Sequence, residues 1–302
     1  ARKFLEKAEL HHTIRQLCYR IMDLDRRDEI LYRFLRVFSE WQKKAEVQQK
    51  AGDINAGTLN AIALQAKQYL FQKKQLEADR YSLVQELNGM IMSGDSFTPL
   101  LVNAVDKHIP ALIASFESHP SIQLAEAQVK EHVAQTALER NSLAPDFNLG
   151  YSNLSITGWQ TSDGISQKYY APSNRFGIVQ AGVSIPIFNG AAKAKVNAAK
   201  IKEDIASMQK QQQLENLNRR MTDVISQFQA AKEAYDYYQS TGLKLSIELW
   251  QQARKRLELG DISYADYTVL LSQHLQDLIS HAASIHQLQM ASATFQFLTE
   301  KK

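Results

Sequence analysis

The sequence predicts a mainly α chain of long antiparallel coiled-coil helical hairpins in two repeats, carrying one β-hairpin. Three observations predict it. A helix-ending turn occurs twice, as Ala51-Gly52-Asp53-Ile54-Asn55 and as Leu259-Gly260-Asp261-Ile262-Ser263, each time between two amphipathic runs. Glycine takes the left-handed conformation that ends a helix, and Asp, Asn or Ser just beyond it can cap the next one, so each copy reads as the tip of a hairpin. The 302 residues hold only 12 Gly and 6 Pro, too little punctuation for many short elements. Between 144 and 190 the apolar period changes from that of a helix to the alternation of a strand.

Composition narrows the class further. Hydrophobic residues at 44% exclude a disordered chain, and charges scattered through nearly every segment exclude a membrane-crossing helix of about 20 apolar residues. The net charge is +3 with both signs mixed, which supplies no basic stripe and so excludes nucleic acid as an expected partner. Cys18 is the single cysteine, reads as a small buried apolar residue and has no partner for an intramolecular disulfide. The opening Ala1-Arg2-Lys3-Phe4-Leu5 shows no initiator Met and no signal peptide and leads directly into helical sequence, as expected of a piece of a longer chain.

In order along the chain, Ile14, Leu17, Ile21, Leu24, Leu31, Leu35 and Phe38 follow a heptad seam with Asp28 in its one gap. This helix runs to the tip at Gly52, on the order of 65 Å at 1.5 Å per residue. Its return, over 56–90, places Leu59, Ile62, Ala66, Tyr69, Leu76, Leu83 and Leu87 on one stripe. Together they form a first-repeat hairpin, 1–92. Repeated turn signals over 93–118, Pro99 and Pro110 among them, mark a connector with a short helix near 99–117.

A second repeat, 119–302, opens with a helix in which Ser121 is the N-cap or a first-turn residue after Pro120, carrying Leu124, Ala127, Val129, Ala134, Ala137 and Leu138 on one face. A β-hairpin follows over 146–187. Phe147, Leu149 and Tyr151 alternate with polar or Gly positions, as do Val179, Ala181, Val183, Ile185 and Ile187, giving two strands of about 11 or 12 residues joined by a long loop. Strands of this length and alternation suit a tilted membrane-spanning hairpin, and equally a half-buried soluble one. The long helix, 190–258, has the seam Leu214, Leu217, Met221, Val224, Phe228, Ala231, Tyr235, Tyr238, continuing through Leu245 and Leu249, and spans roughly 100 Å. The return helix, 263–299, carries Leu271, Leu275, Leu278, Ala282 and Ile285.

Several of these residues carry a resemblance. The opening His119-Pro120-Ser121-Ile122, the strand entry Ala144-Pro145-Asp146, the exit Ile185-Pro186-Ile187-Phe188-Asn189-Gly190 and the run Arg256-Leu257-Glu258-Leu259-Gly260-Asp261-Ile262-Ser263 resemble the TolC-like outer-membrane efflux proteins, across 119–300 and more loosely across 5–92. The resemblance implies an exit duct of a tripartite efflux system: a homotrimer of the full-length parent in the outer membrane and periplasm of a Gram-negative bacterium, its β-hairpins a barrel against lipid. It also implies docking of the hairpin tips to a periplasmic adaptor (membrane fusion) protein that leads to an inner-membrane pump. Carried over to this sequence, the docking and aperture tips are Gly52 and Asp53, and Arg256, Gly260, Asp261 and Ser263. This chain departs from the family by holding one hairpin, a partial barrel element, where two are expected, and by Gln48 standing where the second tip has Arg256.

Other readings stay open from residues alone. Arg256 also suits a solvated last-turn cation at a helix C-terminus, and the glycines suit plain helix termination. The heptads equally fit a soluble coiled-coil scaffold or interaction protein, which the inserted strand pair argues against; an adaptor would need Gly- and Val-rich β-domains not seen here. His274, Asp277 and His281 share a helix face at ligand-type spacing, but three ligands on two turns of one helix cannot close around Zn²⁺. The expectation is no metal and no cofactor. No triad order, phosphate loop or paired buried carboxylate is present, so no enzyme is expected.

Overall fold

The computed structural model describes residues 2–91, 97–100, 116–161, 164–185 and 187–299. Its elements are α1 (Arg2–Ala51), α2 (Ala56–Ile91), α3 (Pro120–Asn141), β1 (Asp146–Leu154), β2 (Gly158–Thr161), β3 (Gln167–Tyr170), β4 (Phe176–Ser184), α4 (Gly190–Tyr237), a π-helical turn (Tyr238–Gly242), α5 (Leu243–Glu258) and α6 (Tyr264–Thr299). Most of the expected connector helix, 101–115, lies outside the described residues. No described helix is long and apolar enough to cross a membrane. The chain divides into two compact units, residues 1–124 with 213–302, and residues 125–212.

In the first unit, α1 packs on α2 and α6, and α6 on α5. Three clusters form its core. One gathers Leu31, Phe34, Phe38, Trp41 and Ala45 of α1 with Ile62 and Tyr69 of α2, Ala253 and Leu257 of α5, and Tyr267, Leu271 and Leu275 of α6. A second joins Phe116 and Ile122 to α4 and to Leu288, Ala291, Phe295 and Leu298 of α6. A third joins Leu17 and Ile21 to Leu83, Val84 and Leu87. Cys18 is half-buried against this third cluster, and burial pushes its thiol pKa up. Phe34 and Trp41 lie off the predicted seam because α1 faces two helices and so carries two stripes.

Charge separates the first and third clusters along α1. Asp28 does fill the gap in the seam, and it pairs with Lys73 of α2 at 3.0 Å. Asp25 pairs with Arg80, and Asp23 with Arg27 at 2.9 Å. Arg26 is 8% exposed, and none of its guanidinium nitrogens has a hydrogen-bond partner.

The long helix of the second repeat departs from expectation at its middle. Up to Tyr238 the seam alternates three and four, but the buried residues beyond it are Gly242, Ser246, Ala253 and Leu257, with Leu245 and Leu249 exposed. Two steps of four in succession, 238 to 242 to 246, insert one residue into the heptad. A π-turn absorbs one residue, which returns the following seam to α6. A Cβ at Gly242 would stand 2.9 Å from Tyr237 Cε1 and 3.0 Å from Tyr238 Cδ1, so any larger residue in that turn has to displace these tyrosine rings.

At the start of α3 Ser121 is a first-turn residue and the cap is His119: Nδ1 of the buried imidazole accepts the Ser121 N–H at 3.3 Å, and Pro120 takes the first helical position, where its missing N–H costs nothing.

In the second unit, β1 and β4 pair antiparallel with Phe147 opposite Val183, Leu149 opposite Ala181 and Tyr151 opposite Val179. The strands have nine residues rather than 11 or 12, because the expected loop forms a ladder of its own, β2 with β3, where Trp159 faces Tyr169. The face predicted for α3 is largely exposed, with Leu138 62% accessible, and small side chains are buried in this unit instead: Ala125, Thr136, Ala199 and Ala206. Lys210 of α4 approaches Glu126 of α3 at 3.8 Å.

Candidate functional site

Both tips are built from the same backbone bonds. At the first, the Asp53 N–H reaches the Gln48 carbonyl at 2.9 Å and the Gly52 N–H the Gln49 carbonyl at 3.1 Å. At the second, the Asp261 N–H reaches the Arg256 carbonyl at 2.8 Å and the Gly260 N–H the Leu257 carbonyl at 3.1 Å. These are paired Schellman closures, which require a left-handed residue; φ is 87° at Gly52 and 79° at Gly260. The next helices are capped by their first polar residue. Asn55 Oδ1 accepts the Thr58 N–H at 2.8 Å. Ser263 Oγ accepts the Asp266 N–H at 3.1 Å while Asp266 Oδ2 accepts from the Ser263 N–H at 3.3 Å, a capping box. Ile54 and Ile262, between turn and cap, fold back onto the first core cluster.

Gln48 and Arg256 therefore occupy equivalent positions, and what the turn uses of each is its carbonyl. Their side chains are free to differ. Gln48 Oε1 accepts a hydrogen bond from Tyr264 Oη, tying the first tip to the helix that leaves the second. Arg256 is exposed, with no ion pair among the described residues. Asp53, Asp261 and Ser263 are exposed as well, so the predicted residues form two polar caps on one aromatic floor.

That floor was not foreseen. Trp41 lies on Tyr267 with ring centroids 4.4 Å apart and edge-on to Tyr264 at 6.0 Å. Trp250 Nε1 donates to Tyr267 Oη at 3.0 Å, and Lys44 Nζ stands 5.2 Å from the Trp41 ring centroid. Burial pushes the phenol pKa of Tyr267 up, and that of Tyr264 likewise. A sequence signal did exist: Trp41 and Trp250 each precede a tip glycine by about three helical turns. Beside the tips, between the starts of α2 and α6, runs a groove of about 490 Å³ lined by Asn55, Gly57, Ala61, Gln65, Ala265 and Thr268.

His274, Asp277 and His281 do not converge. His274 is 6% exposed and its Nδ1 is 2.8 Å from Ser246 Oγ, with the ring stacked on Trp250. Asp277 accepts from Gln273, and the His281 ring lies 5.5 Å from that of Tyr235. No group of three or more His, Cys, Asp or Glu that could hold a metal occurs among the described residues.

Three solved structures show the same fold over nearly all of this chain. A membrane protein from Pseudomonas aeruginosa superposes with a TM-score of 0.87 at 15% identity, covering 97% of this chain and 66% of its own. The Campylobacter jejuni CmeC outer membrane channel gives 0.82 at 12% identity, covering 97% and 63%, and the outer membrane protein VceC of Vibrio cholerae gives 0.79 at 13%, covering 96% and 69%. The chain thus spans about two thirds of the length of these structures. No curated protein sequence matches it. The family model described as outer membrane efflux protein matches residues 114–299, which takes in the strand pair, the long helix and the second tip. On that match the chain belongs to the outer membrane efflux protein family.

Proposed function

We propose that this chain forms the greater part of an outer-membrane exit duct in a tripartite efflux system. The observation that carries the reading is the strand pair within a family match: Phe147, Leu149, Tyr151, Val179 and Val183 share one face, each more than half exposed, while Asn148, Gly150, Gln180, Gly182 and Ser184 share the other. An apolar face toward lipid and a polar one toward water is what a wall between bilayer and pore requires, provided strand closure satisfies every backbone group. Such a duct carries out no reaction. It lowers the barrier to crossing by replacing hydrocarbon with water.

The tips are the proposed docking end for a periplasmic adaptor leading to an inner-membrane pump. Support comes from their build: two outward polar caps, tied together by the Gln48–Tyr264 bond and the aromatic floor, beside a groove whose lining mixes small residues with Asn55, Ile62, Gln65 and Tyr264 and that would admit a partner segment. The adaptor and pump, rather than the duct, would then select the cargo. The test is to restore the second β-hairpin that the family resemblance expects, purify that protein in detergent, determine its oligomeric state and record single-channel currents in planar bilayers. A trimer with discrete conductance supports the duct; a detergent-independent monomer without conductance supports the coiled-coil scaffold instead.

A further inference from the structure

Three imidazoles on α6 sit in three different helix seams, His274 buried and His281 and His286 half-buried. His274 lies between α5 and α1, bonded to Ser246, stacked on Trp250 at an interplanar angle of 8° and 5.7 Å from the Phe34 ring. His281 lies against the end of α4, near Tyr235 and Tyr238, and its buried Nε2 has no hydrogen-bond partner. His286 turns toward α1, bonding to the Tyr19 backbone, with its Nδ1 buried and unpartnered.

We infer that this histidine column is an acid-sensitive release, in which proton uptake loosens α6 from α1 and from the α4–α5 helix. The inference rests on packing and does not depend on the duct reading.

Burial favours release at each imidazole, while the facing charges divide: Asp277 opposes it at His274, Asp23 opposes and Arg26 and Arg27 favour it at His286, and Arg26 favours it at His281. His274 meets Asp277, one turn along its own helix. His286 meets Asp23 together with Arg26 and Arg27 of α1. Arg20 and Asp79 also line the cavity of about 290 Å³ that His286 shares with Asp23. His281 meets the Arg26 guanidinium and the two tyrosines. In all three, burial is the first cause and depresses the pKa below the ordinary imidazole value of 6.5; for His281, Arg26 adds to it. The sign follows. A group whose pKa is depressed in the packed state stabilises that state above its unfolded pKa, and the stabilisation is lost as pH falls through about 6.5 and below. Protons have a route, because His286 lines both that cavity and another of about 410 Å³ shared with Gln227 and Thr294.

Between pH 7.5 and 5.5 each imidazole freed on opening can shift the opening equilibrium by at most about tenfold. Hydrogen–deuterium exchange of the purified protein, corrected for intrinsic rates, tests this. Expected is a loss of protection at pH 5.5 over 274–286 and the facing segments 19–27 and 235–250, larger than on α2, and reduced by close to tenfold in His281→Gln. Equal protection at the two pH values, a uniform loss over all helices, or an unchanged response in the variant would overturn it. If the variant fails to fold, NMR titration of imidazole-labelled wild-type protein decides instead, with a depressed His281 midpoint expected and an ordinary one overturning the inference.

Discussion

At the tip glycines conformation, not space, explains the residue. No atom lies within 4 Å of a Cβ built on Gly52 or Gly260, yet both have positive φ. Gly260→Val should therefore cost about 1–2 kcal/mol in urea unfolding, while Gly260→Asn, which tolerates the left-handed region, should cost clearly less. Arg256 contributes its carbonyl to the turn, so Arg256→Ala should change stability by no more than about 0.5 kcal/mol. If the docking proposal holds, the same variant should weaken capture of the adaptor; binding equal to wild type would leave Arg256 a solvated cation. The bond from Tyr264 to Gln48 can be isolated by a double-mutant cycle with Tyr264→Phe and Gln48→Ala. A coupling of about 0.5–1.5 kcal/mol is expected, and none if the two tips are independent.

Among the elements, α1 and the long second-repeat helix each break their heptad, for different reasons. In α1 the break is electrostatic. The buried Arg26 has no hydrogen-bond partner and is offset only by the Asp23 charge, which leaves a guanidinium out of water with little return. Arg26→Met should raise stability by about 1–3 kcal/mol in urea denaturation, and it should also shrink the acid response by removing the cation beside His281. In the long helix the break is geometric. Deleting Ser240, which is exposed within the π-turn, should leave an unbroken α-helix with stability little changed, whereas deleting one residue near Met221 should rotate the seam by about 100° and unfold the hairpin. Circular dichroism melts of both deletions would separate the cases. The period identified the helices themselves, since a burial stripe repeats many times and tolerates local error. The π-turn escaped because Leu245 and Leu249 keep an apolar period on the wrong face, and the cue lay in small residues, Gly242 and Ser246, which carry little weight in a hydrophobic pattern. Asp28 was visible as a gap, but its partner Lys73 is on another helix, beyond the reach of periodicity. At the site, the turn chemistry of Gly52 and Gly260 was legible because Schellman closure is local; the Trp41–Tyr267–Trp250 floor was not, because it is assembled from three helices.

At the scale of the whole molecule the strand pair decides what the helices are for. Its alternation was readable while its solvent was not, since a soluble hairpin and a bilayer wall share a period of two. Here the register adds what the pattern lacked, because it fixes which residues share a face across the pair. Tyr151 and Gly177 lie on the apolar face, where the tyrosine ring crosses the space a Cβ at Gly177 would enter, at 3.3 Å from its oxygen. On the polar face Gly182 leaves room for Asn148, whose Oδ1 would stand 2.6 Å from an added Cβ. The two faces thus make separate predictions in one experiment. Val179→Arg places a cation on the proposed lipid face and should oppose membrane insertion by about 2–4 kcal/mol if the position lies near the midplane. Gln180→Arg, one residue away and facing the other side, should insert as wild type and alter the charge selectivity of the current. Measuring folding into vesicles by the gel shift of the folded form, together with the reversal potential in a salt gradient, reads both. Equal tolerance of arginine on the two faces would mean that neither meets hydrocarbon, and the strand pair would then be a soluble cap on a helical scaffold.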